Sequence, residues 1–218
     1  KKKRPTKMKL KIKEFFGLII IVLLTSCQNG NQSTNEKYSI GTLTDSIYTN
    51  DYFSINLTIP NDWYVYPREY YDAFSEKGKD YNQTKKTVEE SDNVLLNLLM
   101  FSDKSIADST FARQTIILNA EKPLNKNEYS SELDFLKRTK REMIRYKLRM
   151  EFSNGFDTIV ISGKNYISFH AEFQTEKGII YQDYMTRKEK DFYLNIALSY
   201  PDSTKRKELI DLLSEKMK

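Results

Sequence analysis

Polar and apolar residues alternate most regularly in the last third of the chain. Residues 157–161, 165–174, 178–187 and 191–200 are rich in Ile, Val, Tyr and Phe, with short breaks at Gly163, Glu176-Lys177-Gly178 and Lys188–Lys190. This predicts four antiparallel strands joined by short turns. Ile167, Phe169, Ala171 and Phe173 form one buried row, and Phe192, Leu194, Ile196 and Leu198 form another. Pro201-Asp202-Ser203 stops the sheet. Asp202 or Ser203 then caps a closing helix that turns Leu209, Ile210, Leu212, Leu213 and Met217 inward.

Upstream, Phe53, Ile55, Leu57 and Ile59 alternate with Ser54, Asn56 and Thr58, which predicts a half-buried strand over 52–59. Pro60-Asn61-Asp62 breaks it, and Trp63-Tyr64-Val65-Tyr66 begins a second short extended piece. Residues 68–92 are polar with scattered aromatics and fit a loop or a short helix. The apolar run 93–101 suits a central strand, with a buried helix as the alternative that periodicity leaves open, and 114–119 suits a further strand. From Glu128 to Met150 the period becomes helical: Leu133, Leu136, Met143 and Ile144 share a stripe, and Asn125 or Asn127 caps the start. Strands, a helix, an antiparallel meander and a closing helix give an α+β class, an antiparallel sheet sandwiched by helices.

The amino end follows a different rule. A basic stretch precedes Phe15–Leu24, an apolar run of ten residues. As a helix that run spans about 15 Å, half of a bilayer's hydrocarbon core, so it suits the apolar region of a secretory signal better than a membrane span. Met8 fits as the initiator, with residues 1–7 as upstream extension. The run ends Leu24-Thr25-Ser26-Cys27, which resembles the lipobox of bacterial lipoproteins: an aliphatic residue, two small ones, then the cysteine. That resemblance implies cleavage before Cys27, a diacylglyceryl thioether on its sulfur and acylation of the new amino terminus. Acyl chains on Cys27 would then make the membrane a partner. Residues 28–37 contain no apolar side chain and read as a flexible tether. The expected organisation is a lipoprotein signal peptide (1–26), the lipidated cysteine and tether (27–37), and a single globular domain (38–218).

Charge supports this division. The net +5 of the chain comes from residues 1–26, where eight basic residues face one acidic one; residues 27–218 hold 27 basic and 29 acidic residues. The overall basic balance is therefore no sign of a nucleic-acid partner. Seven basic residues crowd Lys137–Arg149; they read as a solvated helix face, with an anionic lipid or nucleic acid as the alternative.

Chemistry is thinly represented. The chain has one Cys and one His, which excludes a disulfide scaffold and a Cys–His nucleophile whose cysteine is acylated. A Ser–His–Asp triad has only His170, which lies across from Asp183 in one register of the hairpin and loses it on a one-residue slip. No phosphate loop, HExxH or calcium-loop spacing occurs, and no metal or cofactor is expected. Trp63 reads as a plug in one end of the core. Tyr64, Tyr66, Tyr70 and Tyr71 are the candidate binding surface, because several tyrosines in one segment cannot all be buried with their hydroxyls satisfied.

Tyr52-Phe53-Ser54-Ile55-Asn56-Leu57-Thr58-Ile59-Pro60-Asn61-Asp62-Trp63 resembles the opening of PsbP-like domains, where a strand runs into Pro-x-x-Trp. The meander ending in Tyr200-Pro201-Asp202 and a helix is similar to that family's close. The resemblance implies an accessory or assembly role, here for a lipid-anchored envelope protein with an unidentified envelope partner. The alternative is an envelope hydrolase using acidic residues alone, which would need two carboxyls about 5 to 9 Å apart with one pKa raised.

Overall fold

A computed structural model describes residues 38–70, 94–105, 113–123, 129–145 and 150–218. Eleven strands and two long helices follow in chain order: β1 (Thr42–Thr44), β2 (Ile47–Asn50), β3 (Ile55–Thr58), β4 (Tyr64–Val65), β5 (Val94–Ser102), β6 (Thr115–Lys122), α1 (Glu132–Arg145), β7 (Met150–Phe152), β8 (Asp157–Ile161), β9 (Lys164–Thr175), β10 (Gly178–Glu189), β11 (Phe192–Tyr200) and α2 (Lys205–Lys216). Eight strands form one antiparallel sheet in the order β4-β5-β6-β11-β10-β9-β7, with β8 also paired to β9. The long strand β9 therefore serves two partners in succession, β8 along 164–168 and β7 along 171–173.

The meander over 157–200 stands where alternation placed it. Ser162 and Gly163 both have positive φ, 49° and 74°, the pair of left-handed residues that a tight hairpin between β8 and β9 requires. The two rows read from the sequence lie on opposite faces. Phe169 and Ala171 pack under α1 with Phe135, Leu136, Met143, Tyr184, Tyr193 and Ala197. Phe192, Leu194, Ile196 and Leu198 face the other way, into the larger core with Leu209, Leu213 and Met217 of α2. The face of β9 opposite Phe169 is also buried, at Tyr166 and Ser168.

The small sheet was not legible as such. The expected single strand over 52–59 is shorter, because Ser54 turns through φ 51° and leaves only Ile55–Thr58 extended. With β1 and β2 it forms a separate three-stranded sheet that buries Tyr48, Phe53, Ile55, Leu57 and Ile59 against the α2 face. Gly41 is required here: a Cβ on it would stand 2.5 Å from the Tyr48 hydroxyl. The carboxyl end closes onto this sheet. Asn56 N donates to Lys218 O at 2.9 Å, Lys218 N donates to Asn56 O at 2.8 Å, and Met217 bridges to Leu57.

Helix α1 differs in two details. Its start is capped by Ser131, whose Oγ accepts from Asp134 N at 3.2 Å; Asn125 and Asn127 lie outside the described residues. Its inward stripe is Phe135, Leu136, Thr139 and Met143, while Ile144, one residue and about 100° beyond Met143, is 54% exposed. For α2, Asp202 organises the entry by accepting from Thr204 N and Oγ1, both at 2.9 Å. Among the described residues no helix is long and apolar enough to cross a membrane.

The small sheet is joined to the meander by cations on aromatics. Arg187 Nε donates to Tyr166 Oη at 2.8 Å and Nη2 to Phe53 O at 3.3 Å. Lys190 Nζ donates to Tyr52 O at 2.6 Å and sits 4.2 Å from that ring's centroid. Tyr38, the first described residue, packs edge-on to Phe192 and accepts from Lys122 Nζ at 2.8 Å.

Candidate functional site

Strand β4 is only two residues long, and its pleat sends neighbours to opposite faces. Trp63 and Val65 join the α2-side core, with the Trp63 ring 5.5 Å from that of Phe101. Trp63 remains half-buried, so it packs on the rim of that core. Tyr64 and Tyr66 turn to the α1 side, where Tyr66 packs against Tyr64 and Tyr70 at 5.1 Å each. Leu95, Met100 and Ile117 complete this patch.

The tyrosines are not equivalent. Tyr66 is buried, and its hydroxyl accepts from Arg113 Nη1 at 3.0 Å and Ser102 Oγ at 3.1 Å. A buried, doubly met hydroxyl is a core anchor. Tyr64 and Tyr70 are half-buried around it. Burial, with Tyr66 next in effect, pushes the Tyr70 hydroxyl up to about 12. Tyr71 lies outside the described residues, as do Cys27, the tether and most of 68–92. The structure therefore gathers Tyr64 and Tyr70 into one accessible patch and takes Tyr66 out of it.

The same face carries a feature that sequence reasoning missed. Asn97, Asn119, Asn195 and Thr186 fall in register across β5, β6, β11 and β10. Thr186 Oγ1 donates to Asn195 Oδ1 at 2.7 Å, and Asn195 Nδ2 donates to Asn119 Oδ1 at 2.9 Å. The chain of bonds ends at Asn119 Nδ2, which is buried and has no acceptor. Asn119 and Asn195 also line a cavity of about 20 Å³ beneath Phe135, Leu136 and Thr139 of α1. A cavity of that size holds one small polar group. The signal in the sequence is an asparagine inside each of three apolar strands, and only the strand order makes them neighbours.

The single histidine lies on the other face. His170 stands directly across from Asp183, the register that the hairpin allowed. Its Nδ1 is 3.5 Å from Asp183 Oδ1, its Nε2 is 3.8 Å from Glu172 Oε1, and its ring stacks on Tyr181. Asp183 is fully buried. It accepts from Tyr200 Oη at 2.5 Å and from Arg206 Nε at 3.0 and 3.1 Å. Burial alone would raise its pKa; His170, Tyr200 and Arg206 together outweigh this and hold the carboxyl below its ordinary value. Burial and the Asp183 charge push the Tyr200 hydroxyl up in turn. Among the described residues no serine or threonine hydroxyl meets a ring nitrogen of His170, and Asp183, held by Tyr200 and by Arg206 of α2, ties that helix to the sheet. Among the described residues no group of three or more His, Cys, Asp or Glu side chains is placed to hold a metal.

No family model matches the chain, and no curated protein matches it by sequence. Solved structures resemble it. LpqN of Mycobacterium tuberculosis, described as involved in cell envelope biogenesis, aligns at a TM-score of 0.41 and 13% identity over 75% of this chain and 81% of its own. The PsbP protein of the cyanobacterium Synechocystis, CyanoP, aligns at a TM-score of 0.47 and 12% identity over 87% of this chain and 99% of its own. A protein from Bacteroides thetaiotaomicron aligns at 0.39 and 12% identity, over 76% of this chain and 44% of its own. The α+β class expected from the sequence, an antiparallel sheet with helices on its faces, is the one observed, and a PsbP protein is among its structural neighbours.

Proposed function

We propose that the chain is a lipid-anchored envelope protein, attached through acyl chains on Cys27, whose domain is a non-catalytic binding or accessory module. The observation that carries this reading is the placement of the only cysteine. It follows a basic stretch, a ten-residue apolar run and two small residues, and it precedes a stretch without apolar side chains that runs to Tyr38. The binding surface is the patch of Tyr64 and Tyr70, held in place from below by Tyr66. Aromatic side chains that are half-open on a rigid base recognise partners at low entropic cost.

The hydrolase alternative finds less support. Where a described carboxyl has a resolved shift (Asp134, Asp183 and Asp202), the shift is downward, opposite to what a general acid needs. The test of the anchor is mass spectrometry of the mature amino terminus. A triacylated or diacylated Cys27 is expected, and loss of both modification and processing in Cys27→Ala; an unmodified terminus downstream of Cys27 overturns the reading. For the binding surface, a photo-crosslinking residue at Tyr70 should capture a discrete envelope partner. Equal or better capture from a probe at Asp211, on the exposed side of α2, would move the surface elsewhere.

A further inference from the structure

The basic residues of α1 are sorted by the fold. Arg138 lies over the Tyr129 ring at 5.3 Å, and Lys140 lies 5.7 Å and 5.6 Å from the Phe152 and Phe156 rings. These two cations serve the domain's own packing. Lys137, Arg141 and Arg145 stand exposed on the outer side, at helical spacing, with Ile144 exposed between the two arginines. Lys137 stands 4.0 Å from Asp134 and Arg145 3.7 Å from Glu142, and ion pairs on an open surface leave a cation's attraction to other charges largely intact.

The charge of the domain is correspondingly lopsided. Among the described residues, 137–145 hold five basic side chains and one acidic, a net +4; the others hold 14 basic and 19 acidic, a net −5. A body with that distribution turns one side toward an anionic surface and is repelled on its others. We infer that the outer side of α1, with Lys137, Arg141, Ile144 and Arg145, docks on the anionic phospholipid surface of the membrane that carries the protein. This rests on the lipid-anchor reading for the nearness of the bilayer. The geometry permits it. The amino end of α1 sits against the β10–β11 hairpin, with Glu132 Oε1 accepting from Lys188 N at 3.1 Å, and Tyr38 enters beside Phe192 of the same hairpin. The ten residues between Cys27 and Tyr38 bridge at most about 35 Å, against about 21 Å for the length of α1. Cations at the surface and a large aliphatic residue among them are what an interfacial helix presents to headgroups.

The test uses the mature protein purified from membranes and reconstituted into vesicles of neutral lipid, or of neutral lipid with roughly a third anionic lipid. Ile144→Trp places a fluorophore on the proposed face; Trp63, on the opposite face of the sheet, is the native control. Quenching by headgroup-labelled lipid should be about twofold stronger for the added tryptophan on anionic vesicles than on neutral ones. It should vanish at about 0.5 M salt and in the Lys137→Glu/Arg141→Glu/Arg145→Glu variant. Equal quenching on both vesicle types, or quenching that survives the charge reversal, overturns the proposal. So does stronger quenching from Leu43→Trp, which would put the small sheet on the bilayer, or salt-sensitive binding of the same residues to duplex DNA and not to vesicles. Retention on neutral vesicles reports the anchor separately. A protein that does not stay on them lacks the lipid, while its salt-sensitive binding to anionic vesicles still decides the role of α1.

Discussion

The two faces of the eight-stranded sheet are built on different terms. On the α2 side, buried Phe, Leu and Ile from both sheets and the helix form one continuous core, and its main polar group, Asp183, is met by Tyr200, Arg206 and His170. On the α1 side the apolar cluster is smaller, an asparagine row crosses four strands, one amide N–H is left without an acceptor, and tyrosines stand half-open at the edge. A fold can spend one face of its sheet on stability and leave the other less perfectly closed. Recognition is drawn from the second kind of surface.

That contrast can be broken by mutation. The largest loss is expected on the α2 side: Phe192→Ala, which removes a fully buried ring in edge contact with Phe53, Tyr52 and Tyr38, should cost about 3 to 5 kcal/mol by denaturant unfolding. A value below about 1 kcal/mol would mean that the small sheet is not part of the core. Trp63→Ala, on the half-buried rim, should cost less, about 2 kcal/mol. The third expectation concerns acid. Asp183 is held below its unfolded value, so its contribution is present above about pH 4 and is lost as pH falls through the lower folded value. Asp183→Asn should lower stability at neutral pH and make its decline below about pH 4 shallower than in the wild type; an unchanged acid profile would remove Asp183 from the account.

Smaller effects are expected on the α1 side. Asn195→Ala should cost about 1 to 3 kcal/mol, since it removes the acceptor of Thr186 Oγ1, which keeps only a 3.4 Å contact to Leu194 O, and the donor to Asn119 Oδ1. Tyr70→Ala should cost about 1 kcal/mol while abolishing capture by a photo-crosslinking residue placed at Tyr64. If Tyr70→Ala unfolds the domain as severely as Phe192→Ala, the two faces are equivalent and the tyrosine patch is core.

Legibility followed the length and regularity of each pattern. The meander could be drawn strand by strand because period-two alternation over nine to twelve residues is punctuated by turn residues that tolerate positive φ. The small sheet could not, because β1 and β2 have three and four residues and turn through Asp45 and Ser46, which do not announce a hairpin as Asn-Gly would. The His170–Asp183 pair was visible only as one of two registers, since a slip of one residue changes every partner. Tyr66 was misplaced among surface tyrosines because its fate is decided by Arg113 and Ser102, 47 and 36 residues away. Ile144 was placed on the inner stripe because a helical pattern fixes a stripe's spacing more firmly than its edge.

The closure of Lys218 onto Asn56 sets an order of events. The small sheet completes its pairing with Met217 and Lys218, some 160 positions further along the chain. Contacts of such sequence separation form late, because the intervening loop must first be closed. A chain delivered amino end first therefore carries Phe53, Ile55 and Leu57 uncovered until α2 arrives to seal them. The small sheet and α2 therefore complete each other, and neither is sealed before the other is in place.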